Sequence, residues 1–104
     1  MFAFFEGDRY FNEDISYWYL SNVTNMEAMF KGALAFNEHI GHWNVSNVTD
    51  MSGMFEGARE FNEDISKWDT SKLEDMEGMF LQASSFNQYT VSYTHLTLPT
   101  IYSV

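Results

Sequence analysis

The chain has 104 residues, which is enough for one domain, and its 45% hydrophobic and 18% aromatic content predicts a packed core rather than disorder. Fifteen acidic residues against five basic ones give a formal charge of −10, which argues against nucleic acid or an anionic membrane surface as a partner. Cysteine is absent, which excludes disulfides and thiolate metal sites, and no apolar run approaches the ~20 residues of a membrane-spanning helix.

The first ten residues begin in the middle of a pattern that recurs later. The segment Phe4-Phe5-Glu6-Gly7 aligns with Met54-Phe55-Glu56-Gly57, and this alignment puts Met1 at the position of Met26. We therefore expect Met1 to be an internal methionine of a longer array. The segment also lacks the basic start of a signal peptide.

A 25-residue repeat organises the chain as far as residue 88. We define the repeats as 11–35, 36–60 and 61–85, with partial units at 1–10 and 86–88. A unit this short cannot bury its own apolar face, so neighbouring repeats are expected to stack and bring equivalent residues together in ladders. The expected structural ladders are Phe11, Phe36, Phe61 and Phe86; Asn12, Asn37, Asn62 and Asn87; Ile15, Ile40 and Ile65; Trp18, Trp43 and Trp68; Met26, Met51 and Met76; and Phe30, Phe55 and Phe80.

Each repeat divides into two predicted elements. Alternation of side chains around the isoleucine and tryptophan predicts short parallel strands at 14–18, 39–43 and 64–68. Met51, Met54, Phe55 and Ala58 have the i, i+3, i+4, i+7 spacing of a helix face, which predicts short helices at 24–33, 49–58 and 74–83. The predicted fold class is therefore an α/β solenoid, a leucine-rich-repeat-like stack of about three coils. Within it, each Asn of the asparagine ladder is expected to bond the backbone of a neighbouring coil.

The segment 89–104 departs from the repeat. It contains no charged residue after Thr90 and carries the only proline of the chain, Pro99. The stretch Val91-Ser-Tyr-Thr-His-Leu-Thr-Leu-Pro-Thr100 resembles a translated sequencing adapter, so we expect this tail to be an artefact.

Two segments carry a family resemblance. The segment Phe-Asn-Glu-Asp-Ile-Ser-Lys-Trp-Asp-Thr-Ser (61–71), with Asn-Val-Thr-Asp-Met-Ser-Gly-Met-Phe-Glu-Gly-Ala (47–58), resembles the bacterial surface-protein repeat named domain of unknown function 285. That family is grouped with BspA-like leucine-rich repeats, and the resemblance covers residues 1–88. It implies a solenoid on a secreted, lipid-anchored or wall-anchored protein, often proposed to mediate adhesion. It supplies no catalytic residue.

Two clusters of residues are candidate metal sites. Acidic side chains recur near the predicted strands at Glu13, Asp14, Glu38, Glu63 and Asp64, but the spacing matches no calcium loop, so a solubilising role is preferred. His39 and His42 would share one face and could hold zinc, but no third ligand is evident. We predict no metal and no cofactor.

Two further features have a structural and a functional interpretation. The tryptophan ladder is either core or an exposed platform, and we expect at least partial burial. The Asn-Val-Thr and Asn-Val-Ser triplets at Asn22, Asn44 and Asn47 match a glycosylation pattern but are more simply interpreted as turn residues.

The predicted function is adhesion or protein–protein recognition at a cell surface through a repeated face. The alternative is glycan binding by an exposed aromatic ladder. An enzyme is not expected, because polar groups that recur in every unit are the opposite of a unique active site. The expected partner is a protein or host-surface ligand, with no nucleic acid and no membrane insertion.

Overall fold

The structure is a computed structural model that describes residues 3–87, so the tail at 89–104 and Met1 lie outside the described part. Within that part the backbone is built from turns, and it contains no α-helix and no extended strand. Isolated parallel β-bridges join Asn25 to Asp50 and Asp50 to Asp75. The predicted α/β solenoid of strands plus helices is therefore wrong.

The predicted helices fail because their backbone hydrogen bonds go to another coil. The N–H groups of Met51, Gly53, Phe55 and Gly57 donate to carbonyl oxygens of the third repeat, each 24 residues ahead, at 2.8–2.9 Å. An α-helix would need those N–H groups for carbonyls four residues behind. Gly53 and Gly57 also have φ of +60° and +69°, in the left-handed region that a right-handed helix excludes.

The helix-like spacing of apolar residues has a different cause. Met54 donates its N–H to the Met51 carbonyl, and Ala58 donates to the Phe55 carbonyl, so two four-residue turns follow one another directly. The first and last residues of both turns are buried. Consecutive turns of this kind generate the same i, i+3, i+4, i+7 pattern as one helix face.

The predicted strands at 14–18, 39–43 and 64–68 are also turns. In each repeat the tryptophan N–H donates to the carbonyl of the isoleucine three residues earlier, at 3.1 Å, which bends the chain at the place where a strand would extend it. The isoleucine and the tryptophan of each predicted strand are therefore the first and last residues of a turn. Positions 25, 50 and 75 are joined by isolated β-bridges and not by extended strands.

Successive repeats nevertheless stack as coils, which we number one to three for 11–35, 36–60 and 61–85. Along residues 26–32 the N–H groups alternate, with Met26, Ala28, Phe30 and Gly32 donating to the second coil. Met29 and Lys31 donate instead to carbonyls three residues back. This alternation satisfies the backbone both within and between coils.

The core lies inside the stack and consists of the aromatic and methionine ladders. Rings of consecutive coils are nearly parallel, for example Phe30 on Phe55 at 5.5 Å between centroids and Phe36 on Phe61 at 6.0 Å. Phe55, near the end of the second coil, and Phe61, which begins the third, are closer still, at 4.0 Å. No polar or charged residue among residues 3–87 is fully buried. That same range contains no helix long and apolar enough to cross a membrane.

Candidate functional site

The asparagine ladder lies at the surface and links each coil to the next. The backbone N–H of Asn37 donates to the side-chain oxygen of Asn12 at 2.8 Å, and Asn62 and Asn87 repeat the contact with Asn37 and Asn62 at 2.8 and 2.9 Å. Each side chain therefore acts as an acceptor for the coil that follows. This places the asparagines in the architecture of the stack and not in a ligand site.

The tryptophan ladder is core in the second and third coils. Trp43 and Trp68 are 4% and 6% exposed, and their rings stack 6.5 Å apart. The indole N–H of Trp43 donates to the Ile15 carbonyl and that of Trp68 to the Ile40 carbonyl, both at 3.0 Å. Trp18 is half-buried against the same core. The faces that a sugar ring would need are covered by neighbouring rings.

The remaining predicted ladders line the core as well. Phe11 is half-buried, and the other members of the Phe, Ile and Met ladders are buried: Phe36, Phe61, Phe86, Ile15, Ile40, Ile65, Met26, Met51, Met76, Phe30, Phe55 and Phe80.

Two of the acids that recur near the predicted strands hold turns. Asp14 and Asp64 each accept a bond at 2.9 Å from the backbone N–H of the serine two residues on. Hydrogen bonds from the hydroxyl and then the backbone N–H of Ser16 lower the pKa of Asp14, and those of Ser66 lower the pKa of Asp64. Among residues 3–87 no group of three or more His, Asp or Glu side chains is placed to hold a metal ion.

The two histidines line the same surface depression, and His39 has a carboxylate partner there. His39 contacts Glu63 of the next coil, with its Nδ1 at 2.6 Å from a carboxylate oxygen. His39 is largely exposed, with 88% of its side-chain surface open to solvent, so this contact is a surface one. A shallow depression of about 330 Å³ around this pair also contains His42, Asp64 and Lys67.

The asparagine triplets take part in the backbone architecture. The Asn44 side chain accepts bonds from the N–H and hydroxyl of Ser46 at 3.1 and 2.6 Å, which is a turn-forming pattern. Asn47 donates to the Ser21 carbonyl of the preceding coil at 2.6 Å and accepts from Lys72 of the following coil at 2.7 Å. Both asparagines therefore have structural partners.

A surface groove of about 350 Å³ crosses all three coils. We call it the trans-coil groove. It is lined at the same repeat positions in successive coils, by the residues Glu27, Ala28, Lys31, Ser52, Gly53, Glu56, Asp75, Glu77, Gly78 and Leu81. Because one repeat position supplies the same part of the wall in every coil, the groove extends along the stack.

The floor of the trans-coil groove follows from the turn geometry. Ala28, Gly53 and Gly78 have φ of +55°, +60° and +65°, as the third position of a type II turn requires. This conformation favours glycine, and no side chain larger than a methyl group occupies the position. The groove was not predicted from the sequence, although the recurring glycines at 7, 32 and 57 indicate turns of this kind.

The lining of the groove carries more acidic than basic side chains. Equivalent positions in the three coils contribute Glu27, Ser52 and Glu77, and the third coil adds Asp75. The lining also contains Lys31, whose Nζ lies 3.4 Å from a Glu56 carboxylate oxygen, and these two charges cancel. The net potential in the groove is therefore negative.

These features define a class of protein, a stack of turn-rich 25-residue coils held together by aromatic, methionine and asparagine ladders. A scan against family models matches residues 1–99 to the family described as Mycoplasma protein of unknown function, DUF285, and the chain belongs to this family. The match therefore extends beyond residue 88 into the segment 89–104, in which the 25-residue repeat is not recognisable. No curated protein and no solved structure matches the chain.

Proposed function

We propose that the chain is a recognition module of a bacterial surface protein and that it binds other proteins along one face of its stacked coils. The trans-coil groove carries this proposal, because it is an open cleft that three coils build from equivalent positions. Such a surface lengthens with every coil added, which is how stacked repeat proteins create extended binding faces. The placement at the cell surface rests on the family resemblance.

Glycan binding on a tryptophan ladder receives no comparable support. Trp43 and Trp68 are buried. Among residues 3–87, the exposed large aromatic side chains all lie in or beside the first coil, at Phe4, Tyr10, Tyr17 and Tyr19. A carbohydrate platform built by repetition would need exposed rings in successive coils. Protein recognition is therefore the function that we propose, and we propose no catalytic role.

Adhesion of protein-coated beads tests this proposal. Beads carrying the full chain should be retained on cultured animal cells, and treating the cells with protease should remove the retention. Treating them with glycosidases should leave it unchanged. Retention that survives protease and disappears with glycosidase would reverse the choice between protein and glycan ligands.

A pair of matched variants connects retention to the groove. Ser52→Arg places a long cationic side chain inside the trans-coil groove, whereas Ser85→Arg makes the same change at an exposed position outside it. We expect Ser52→Arg to lower retention about tenfold and Ser85→Arg to leave it near the wild-type level. Equal losses in the two variants would show that binding does not use the groove.

A further inference from the structure

We propose that residues 11–24 of the first coil bind a segment of the same repeat pattern that another protein chain supplies. We call this surface the open half-coil. It shares no residue with the trans-coil groove, so the inference goes beyond the proposed function. It follows from hydrogen-bond donors that have no partner, from the burial of two rings and from the contacts that equivalent positions make in the third coil.

The two halves of the first coil differ in their backbone contacts. The second half accepts hydrogen bonds from the segment 3–7, where the N–H groups of Ala3 and Phe5 donate to the carbonyls of Glu27 and Met29 at 2.7 and 2.9 Å. Residues 3–10 make no backbone hydrogen bond with residues 12–24. The backbone of the open half-coil is therefore bonded to a neighbouring coil on one side, the side of the second coil.

Three N–H groups of the open half-coil have no protein acceptor among residues 3–87. They are the backbone N–H groups of Asn12 and Thr24 and the indole N–H of Trp18. Trp43 shows what the Trp18 indole lacks, because the Trp43 indole donates to the Ile15 carbonyl of the preceding coil at 3.0 Å. A segment with acceptors at these three places would add three hydrogen bonds.

The segment 36–50 supplies such acceptors to the third coil. They are the Asn37 side-chain oxygen, at 2.8 Å from its donor, the Ile40 carbonyl at 3.0 Å and the Thr49 carbonyl at 2.8 Å. Their donors are Asn62, Trp68 and Glu74, which stand two repeats after Asn12, Trp18 and Thr24. A segment of this pattern laid on the open half-coil would therefore meet the same three donors.

Two rings of the open half-coil are less covered than their counterparts. Phe11 and Trp18 are half-buried, whereas Phe61 and Trp68 in the third coil are 0% and 6% exposed. The segment 36–50 stacks its own rings on Phe61 and Trp68, at 6.0 and 6.5 Å between centroids. A docked segment with phenylalanine and tryptophan seven residues apart would stack on Phe11 and Trp18 in the same way.

The occupant that fits is therefore a repeat segment of the pattern Phe-Asn-x-x-Ile-x-x-Trp. Such a segment would continue the interface that already joins the second and third coils. It supplies both the rings and the carbonyl oxygens at the required spacing, which a glycan or an unrelated peptide does not. The partner is thus another chain that carries this repeat.

Fluorescence anisotropy with the full chain tests the inference. The probe is a labelled synthetic peptide with the sequence of residues 36–50, and its control is the same sequence in reverse order. At about 150 mM salt we expect saturable binding with a Kd below about 100 µM, and binding of the reversed peptide about tenfold weaker or less. Equal affinity for the two peptides, or no saturable binding of the forward one, would overturn the inference.

Matched variants place the peptide on the open half-coil. Trp18→Phe removes an indole N–H that has no protein acceptor among residues 3–87, and it should weaken peptide binding about fivefold. Trp68→Phe makes the same change where the indole already donates to Ile40, and it should change affinity less than about twofold. Equal weakening in two variants that circular dichroism shows to be folded would contradict the assignment.

Nuclear magnetic resonance of the nitrogen-15-labelled chain gives a second measurement that needs no stable variant. Of the three indole N–H signals, we expect the Trp18 signal to shift and to become protected from solvent exchange when unlabelled peptide is added. The signals of Trp43 and Trp68 should change little, because both indoles are already bonded. An unchanged Trp18 signal at saturating peptide would overturn the inference.

A groove variant separates this inference from the proposed function. Ser52→Arg alters the trans-coil groove and should leave peptide affinity at the wild-type level. Peptide binding that is lost in Ser52→Arg would place the peptide in the groove and would overturn the inference. Loss of bead retention in Ser52→Arg with unchanged peptide binding supports two separate surfaces.

Discussion

Thr70 occupies a repeat position whose other members, Leu20 and Val45, are buried and apolar. Beside Thr70 lies a void of about 20 Å³, lined otherwise by apolar side chains such as Ile65, Leu73 and Met79. Thr70 is half-buried and carries a hydroxyl where the equivalent residues carry only apolar groups, so it contributes less apolar contact to the core at this position. The third coil is therefore less well packed at this point than the second.

Replacing Thr70 by valine should stabilise the chain. Thr70→Val exchanges a hydroxyl for a methyl group at a position where Val45 already fits, and we expect a gain of about 1 kcal/mol in the free energy of unfolding. Urea denaturation measures it. Thr49→Val is the matched control, because the Thr49 hydroxyl donates to the Thr24 carbonyl at 3.2 Å and its loss should not stabilise. A gain in both variants would rule out the void as the cause.

Asp14 and Asp64 provide a pH dependence at the residue scale. Hydrogen bonds from the following serine lower the pKa of both carboxyls in the folded chain. Their stabilisation is therefore complete above the unfolded pKa of about 3.9 and is lost as the pH falls through the lower folded value. Asparagine at these positions keeps an acceptor oxygen but does not titrate.

A double variant, Asp14→Asn with Asp64→Asn, isolates this effect. The stability of the wild-type chain relative to the variant should be constant above about pH 5 and should fall below about pH 4. Urea midpoints measured for both chains at a series of pH values, from above about pH 5 to well below about pH 4, give the difference directly. A difference that does not change with pH would contradict the assignment of these carboxylates as turn acceptors.

At the scale of the repeated element, the coil is a series of turns whose outward N–H groups bond the next coil. Two residues in each coil have positive φ, and glycine supplies both in the second coil, at Gly53 and Gly57. Asparagine links adjacent coils at a third place, where Asn37 accepts from Asn62 and donates its own N–H to Asn12. Each coil is thus specified by local turn chemistry and by its neighbours together.

The asparagine ladder can be broken at one rung. Asn37→Ala removes the acceptor of the Asn62 N–H and should lower the free energy of unfolding by about 1 kcal/mol. Asn37→Asp keeps an acceptor oxygen and should cost less. Thermal denaturation of both variants makes the comparison, and an aspartate variant as unstable as the alanine variant would show that the ladder depends on something other than this acceptor.

At the scale of the whole molecule, the distribution of charge opposes folding. The formal charge is −10, and among residues 3–87 the single ion pair between a lysine and a carboxylate is Lys31 with Glu56. Stacking brings the repeated acids of successive coils near one another. Mutual repulsion should therefore destabilise the compact state at low ionic strength.

Added salt should stabilise the chain. Raising sodium chloride from about 10 mM to about 200 mM shortens the screening length from ~30 Å to below 10 Å and should raise the Tm by several degrees. Differential scanning calorimetry measures the shift. Glu13→Gln with Glu60→Gln should raise the Tm at low salt and reduce the response to salt, and an unchanged salt response would indicate that repulsion is not the cause.

The register of the repeat was predictable from the sequence, but the backbone conformation of each repeat was not. The 25-residue spacing located the ladders of Phe36 and Met51, because equivalent residues of stacked units must meet. It did not distinguish a helix from two consecutive turns, since Met51, Met54, Phe55 and Ala58 are buried in either case. The trans-coil groove was missed for a related reason, because it depends on the positive φ of Ala28 and Gly53.

The sequence by itself therefore determined the repeat length, the pairing of equivalent residues and the apolar ladders, because these follow from periodicity and the need to bury a shared face. The tertiary structure alone decided the secondary structure and the groove. Backbone N–H groups that face the next coil donate to carbonyl oxygens 24 residues ahead, as the Met51 N–H does to the Asp75 carbonyl. No local sequence pattern reveals such a partner. Once the backbone bonds across coils, alternate residues turn outward, and the small left-handed positions align into a groove.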